Sequence, residues 1–391
     1  MRGRRIYLDY AAATPVSSQA KQAFLKALPY FGNPLSFHKE GTEAHALLEH
    51  ARITIARLAE AKEDAVIFTS GATEANTLAL LGTITHLLES GKKGSDLHVL
   101  YTPSSHASVR EVMKVIASRG VLVEDISVLG GVIDTTKLLA QIRPETCLIS
   151  IDSVCGETGV RFDTRSVRRM LDTEAKRPDI LLHTDASQLP CVESFLKTRL
   201  GADLVVLDAQ KVGGIRGIGV LLSHRRNVLS PVLFGGGQED GLRPGTPSPQ
   251  LAEAFASALT VCERERTVLL EKARFWRQVI TDALGSRIVV NEGATQAPHI
   301  LNLSFPGIDT EYLSALLDSR GVSVSVRSAC DGDAIRSSAV FAMTADEERA
   351  THTLRISFGH QTSMKDIRGF LGRIENCLTL IDTQEVSRHK N

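Results

Sequence analysis

The chain has 391 residues, 43% hydrophobic and 23% charged, which suffices for a large core and two domains. Lys and Arg number 45 and Asp and Glu 45, so a formal net charge of zero gives no general attraction to nucleic acid or an anionic membrane. No apolar run is long enough to span a bilayer, and the basic MRGRR passes at once into strand-like IYLDY, leaving no room for a signal or transit peptide; a cytoplasmic protein is expected.

In chain order, IYLDY reads as a short strand, AAATPVS as a turn and Ser18 to Tyr30 as a helix. FGNPLSFHKEG is a loop rich in breakers. Glu43 to Ala61 reads as an amphipathic helix, with Ala46, Leu47, His50, Ile53, Ile55 and Leu58 offered to its buried side. AVIFTS (strand), GATEANTLALLGTITHLLES (helix), LHVLYTPSSH (strand and loop), Val109 to Arg119 (helix), VLVEDISV (strand) and Thr135 to Ile142 (helix) follow. TCLISIDSV and ILLHTDAS are strands around a helix from Thr164 to Lys176. This alternation predicts a mainly parallel sheet wrapped by helices. After about Gly245 the pattern changes: Pro249 to Leu284 is helical, as one helix or two in series. IVVNEG, HILNLSF, VSVSV and HTLRISFG then supply strands, with helices at Thr310 to Ser319 and Ser363 to Leu380. A large domain over 17–260 and a smaller α+β domain over 1–16 plus 261–391, which the N-terminal strand joins, are expected.

Four pieces point to chemistry. In LVVLDAQKVGGIRGIGVLL, Leu204 to Leu222, two apolar runs flank a turn centred on Lys211. Burial between strands disfavours an ammonium and makes the amine a nucleophile toward carbonyls. At Ser70-Gly71-Ala72-Thr73 a strand meets a helix, whose free N–H groups form an anion site; an ordinary N-cap fits the same residues. Asp185 ends an apolar strand, where open sheets bind ligands, and its carboxylate needs a cationic or hydrogen-bonding partner. His106 lies between a strand and a helix. An anion cradle, a ring-stacking group, a partner for a pyridine nitrogen and a reactive lysine are together what pyridoxal phosphate requires. The twelve histidines form no HExxH-type cluster and the six cysteines no zinc-ligand spacing, so no metal site is expected.

The chain resembles the cysteine desulfurases of the class V aminotransferase superfamily (fold type I pyridoxal-phosphate enzymes) over nearly its whole length. The resemblance is carried by IYLDYAAATPV, FGNP, FTSGATEAN, the SH of PSSHASV, HTDASQ, the lysine turn, GIG, GGGQEDGLRPGT, SAC at Ser328 to Cys330, and LRISFG. It implies that Lys211 carries the cofactor, that Asp185 meets the pyridine nitrogen, that His106 stacks on the ring, and that Gln188 lies near the phenolic oxygen. It implies Ala72 and Thr73 on the phosphate, with Thr246 reaching the phosphate of the partner's cofactor in a homodimer. Asn33 and Arg355 would meet the substrate L-cysteine, and Cys330 would accept its sulfur as a persulfide. A sulfur-acceptor protein, such as an iron–sulfur scaffold or a thiolation protein, would take it onward.

Arg355, in TLRISFG, has the planar fork that suits a carboxylate, and Cys330 stands in a polar stretch with Arg327, Asp331, Gly332 and Asp333. The sequence departs from the family at four places. Gln210 stands where His is usual, Asp208 where Ser or Thr bonds the phosphate, and Cys155 where an Asn meets the cofactor and substrate. Arg327 and the loop after Cys330 also differ. A related carbon–sulfur or carbon–selenium lyase, or an impaired paralogue acting as a scaffold, is the alternative these departures leave.

Overall fold

The computed structural model describes residues 4–224, 228–326 and 336–388. Its centre is a seven-stranded sheet in the order Val66–Thr69, Gly219–Ser223, Leu204–Asp208, Leu181–Asp185, Thr146–Ser150, His98–Tyr101, Leu122–Asp125. Only Gly219–Ser223 runs antiparallel to its neighbours; the other pairings are parallel. The mainly parallel sheet expected from the alternation is present, with the lysine turn as its one hairpin. Helices cover both faces, which is why LVVL and GVLL are continuously apolar: Val205, Leu207, Val220 and Leu222 enter one core cluster, and Leu204, Val206 and Leu221 another.

The carboxyl ends of the parallel strands lie along one edge. Ser70, Asp152, Asp185 and Asp208 each end a strand or follow one within two residues there, and Lys211 turns the chain back along the same edge. The return is tight: a Cβ on Gly219 would stand 2.6 Å from the Gly71 carbonyl carbon. Gly213, at φ +79°, makes the left-handed step that begins the turn.

The C-terminal strands form a three-stranded antiparallel sheet, in the order Thr353–Ser357, Ile300–Ser304, Val289–Val290. Ile6–Tyr7 pairs in parallel with Val322–Ser323, and bridges from Asp9 to Ser357 and from Ser325 to Arg355 tie that pair to the sheet. The N-terminal strand therefore joins the C-terminal elements, as its sequence suggested.

Pro249–Leu284 is one continuous helix of 36 residues rather than two in series. Ser248 caps it, Pro249 occupies the first turn, and no Gly or Pro interrupts it before Gly285. The helix expected over Glu43 to Ala61 is Lys39–Ala59, and its buried stripe is Ala44, Leu48, Ala51, Ile55 and Ala59. Ala46 and His50 are exposed, and His50 Nδ1 meets Glu253 Oε1 at 2.6 Å. Small alanines are what allow this helix to pack closely on the long one, and a reading weighted toward large side chains picked the neighbouring face. The helices Ser338–Thr344 and Glu347–Thr351 carried too short a period to be read.

Candidate active site

A cavity of about 310 Å³ opens at this strand edge, and Lys211, Asp185, His106, Gln188, Ala72, Thr73, Asp208, Gln210 and Arg355 all line it. Residues up to 344 positions apart in the chain, Ala11 and Arg355, thus share one wall system.

Lys211 Nζ donates to the carbonyls of Ala11 at 2.9 Å and Ala12 at 2.8 Å. The same Ala11 carbonyl accepts from Gln188 Nε2 at 2.8 Å. The turn after the N-terminal strand therefore holds both the amine and the amide at the cavity. Asp185 is held by two donors: Asn76 Nδ2 at 2.8 Å on Oδ2 and the Ser187 backbone N–H at 2.9 Å on Oδ1. Asn76 Oδ1 in turn meets His183 Nε2 at 3.0 Å, and His183 Nδ1 meets the Ser150 hydroxyl at 2.8 Å. Burial lowers the His183 pKa to about 4, so the imidazole is neutral and Nε2 carries the proton that Asn76 accepts. Asn76 Nδ2 also donates to Ser108 Oγ at 2.9 Å, which lies 2.9 Å from His106 Nδ1. The carboxylate and the loop histidine are thus oriented by one buried network.

Sequence reasoning missed Asn76, His183 and Ser108. A signal existed: Asn76 stands in the apolar helical run ANTLALL, and His183 lies two residues before Asp185, on the same face of an apolar strand. Buried polar residues in such settings are there to bond something. His106 is also the N-cap of Ala107–Ser118, accepting from the Ser108 N–H at 3.1 Å. Its structural and cavity-facing roles coincide.

Arg355, 4% exposed, donates through Nη2 to Asp9 Oδ1 and through Nη1 to the Gly156 carbonyl, both at 2.9 Å. Its Nε is buried without a hydrogen-bond partner, as are Ser104 Oγ, Ser187 Oγ and Asp152 Oδ1. All four residues line the cavity. Orphaned polar atoms on this scale are costly in a closed core and fit a wall built for a polar ligand.

Three predicted residues lie elsewhere. Cys155 is buried, its thiol 3.6 Å from the Ser104 carbonyl, and burial raises its pKa to about 11. Gly156 and Glu157, not Cys155, face the cavity. Asn33 is taken up in its own loop, Oδ1 accepting from the Leu35 N–H at 3.0 Å. Thr246 is exposed and does not line this chain's cavity. Its segment is nevertheless anchored: Glu239, in left-handed conformation, pairs with Arg52 at 2.8 Å, and Arg243 with Glu74 at 2.8 Å. Cys330 lies outside the described residues.

The residues fit pyridoxal phosphate at the ring and lysine end and contest it at the phosphate end. Asp208, 7% exposed, accepts the Ala72 N–H at 3.1 Å and the Gln210 N–H at 3.0 Å. A carboxylate therefore sits on the helix N-terminus that the phosphate would use, taking its N–H and repelling a second anion. Replacing Asp208 by Ser is expected to slow cofactor release about tenfold, read from the visible absorbance after dilution into cofactor-free buffer. Faster release would mean that Asp208 serves instead to hold Gln210 and Lys211.

Asp152 is a further group the sequence reading did not single out. Burial, then the charge of Asp185, raise its carboxyl to about 8, against the bonds from Ser105 and the charge of Arg110. Between the unfolded value near 4 and about 8, the folded chain holds a proton that the unfolded chain lacks. Stability must therefore fall as pH rises through that window and level off above it. In cofactor-stripped protein, Asp152→Asn is expected to remove this fall, its advantage growing on the order of 1 kcal/mol per pH unit. Parallel denaturation midpoints for both proteins from pH 5 to 9 would refute it.

A family model described as aminotransferase class-V matches residues 6–370. The chain is 30% identical over 389 residues to a "Cysteine desulfurase IscS" of Dictyoglomus turgidum, covering 97% of this chain and 96% of that protein. A solved "NIFS-LIKE PROTEIN" superposes with a TM-score of 0.89 at 27% identity, over 96% of this chain and 100% of its own. "SspA in complex with cysteine" superposes with a TM-score of 0.77 at 28% identity, over 90% of this chain and 98% of its own.

Proposed function

Because the chain belongs to the cysteine desulfurase family of the class V aminotransferases, whose cofactor is pyridoxal phosphate, we propose that it converts L-cysteine to L-alanine and places the sulfur on Cys330 as a persulfide. The observation that carries this reading is the convergence of Lys211, Asp185, His106 and Arg355 on one cavity.

When bound, the cofactor supplies the electron sink that makes the substrate α-carbon acidic. The chain's own residues do the rest. Lys211, released from the Ala11 and Ala12 carbonyls, holds the cofactor covalently and then moves the α-proton at Nζ. Asp185, fixed by Asn76 and Ser187, would hold a proton on the pyridine nitrogen. His106 and Gln188 would hold the ring and its phenolic oxygen. Arg355, held flat by Asp9 and Gly156, receives the substrate carboxylate. The Cys330 thiolate attacks the substrate sulfur; the carbon–sulfur bond breaks, the β-carbon gains a proton, and alanine leaves. The balance is L-cysteine plus a thiol giving L-alanine plus a persulfide. Incubation with L-cysteine tests it: alanine must form, with sulfide released in equal amount once a reducing thiol is present.

The same reading makes the large part, 17–260, the cofactor domain, and 1–16 with 261–391 the part that brings Arg355 and Cys330. It also makes the protein a homodimer, with Thr246 of each chain serving its neighbour. Phe37, 100% exposed, and Phe234, 86% exposed, support this reading as large apolar side chains that a partner would cover. Light scattering at the monomer mass, with cofactor bound, would exclude it. Among the described residues no helix is long and apolar enough to cross a membrane, and we place the protein in the cytoplasm, handing sulfur to an acceptor protein; cell fractionation tests the location.

A further inference from the structure

A second cavity, of about 240 Å³, lies on the other side of Lys211, with Lys211 and Gln188 as the wall common to both. Its rim carries exposed Gln19 and His360, and its floor carries Cys191 and Cys262. Cys191 ends the short turn Leu189–Cys191 that directly follows Gln188, and Cys262 lies on the long helix Pro249–Leu284.

The two sulfurs are in contact at 3.7 Å, and Cys191 Sγ donates to the Lys211 carbonyl at 3.6 Å. The thiols therefore form a short relay, Cys262 to Cys191 to the backbone of Lys211. The bond donated by Cys262 favours the Cys191 thiolate and lowers its pKa, while Cys262, as donor, is raised. Cys147 and Cys155 differ: burial raises each to about 11, and among the described residues neither has a second thiol beside it, which keeps them inert. Closing a disulfide requires the sulfurs to approach to about 2.05 Å. The moving part is the three-residue turn rather than the helix.

We propose that Cys191 and Cys262 are a modification site, a dithiol that a hydroperoxide entering the second cavity converts to a disulfide, shifting the turn that carries Lys211. Cys191 gives up its proton and the thiolate attacks one peroxide oxygen; the O–O bond breaks and the departing hydroxide takes up that proton to leave as water, giving a sulfenic acid. Cys262 then attacks the Cys191 sulfur, the S–O bond breaks, and a second water leaves. Two thiols lose two electrons and one hydrogen peroxide becomes two waters. The disulfide has no S–H, so the donor to the Lys211 carbonyl is lost and the turn must rearrange to satisfy that oxygen. The effect on Lys211 rests on its proposed role as cofactor carrier; the disulfide itself does not.

The test uses the holoenzyme, treated with hydrogen peroxide, alkylated under denaturing conditions and digested. A cross-linked pair of peptides containing Cys191 and Cys262, cleaved by dithiothreitol, is expected, and must be missing from Cys191→Ser and from Cys262→Ala. Cofactor release from the oxidised wild type should be at least threefold faster than from the reduced protein and from either oxidised variant. Full alkylation of both cysteines after peroxide, or Cys191 recovered as a sulfinic acid without the cross-link, overturns the site. A cross-link that leaves the release rate unchanged overturns the coupling to Lys211. Peptide mapping needs neither turnover nor L-cysteine, so failure here is distinct from failure of the desulfurase reading.

Discussion

Replacing Lys211 with alanine is expected to abolish covalent cofactor retention and to lower turnover of L-cysteine by about 10³-fold or more. The residue combines two duties that no other group at the cavity shares: a primary amine to bond the cofactor carbonyl and a base placed at the substrate α-carbon. Its amine stands on the Ala11 and Ala12 carbonyls, between the ring-facing residues and the N-terminal turn. The fold should survive the change. Ala11 keeps its bond from Gln188, and loss of the donor to Ala12 costs about 1 kcal/mol. The check is hydride reduction of the wild-type holoenzyme followed by peptide mapping, which should label Lys211 alone. A label on a different lysine would sink the assignment, as would unaltered alanine formation by Lys211→Ala.

Cys330→Ala should separate a desulfurase from a simple lyase. The variant is expected to keep the yellow cofactor and still bind L-cysteine, and to lose alanine formation by about 10²-fold or more. Elimination of the substrate thiol asks only for the cofactor and Lys211, so a lyase would keep most of its turnover. A desulfurase needs a thiolate to receive the sulfur. Cys330 itself lies outside the described residues; the described chain before it is tied at Val326, whose carbonyl accepts from the Thr353 hydroxyl at 2.8 Å, and at Ser325, bridged to Arg355. Mass spectrometry of the wild type after L-cysteine should find one added sulfur on the Cys330 peptide. Its absence, with undiminished alanine from Cys330→Ala, would remove Cys330 from the reaction.

Local sequence was enough to determine the strand–helix alternation, the hairpin at Lys211 and the carboxylate at the end of ILLHTD, because each is written in neighbouring residues: a period, a glycine turn, a polar group closing an apolar run. Those pieces together pointed to the cofactor, and the resemblance supplied the individual roles. Only the tertiary structure decided what each group meets, since partners such as Arg355 and Asp9, 346 residues apart, are set by how strands stack and not by spacing. Whether Asp208 turned away from the helix N-terminus could not be read from LDAQK; the packed strand end aims its carboxylate at the Ala72 N–H. Nor could the sequence tell that Cys155 points into the core while Gly156 and Glu157 face the cavity, because the turn that begins at Gly156 is placed by its packing. The Cys191–Cys262 contact is the same case: 71 residues separate them, and only the long helix lying against the turn after Gln188 brings the sulfurs together.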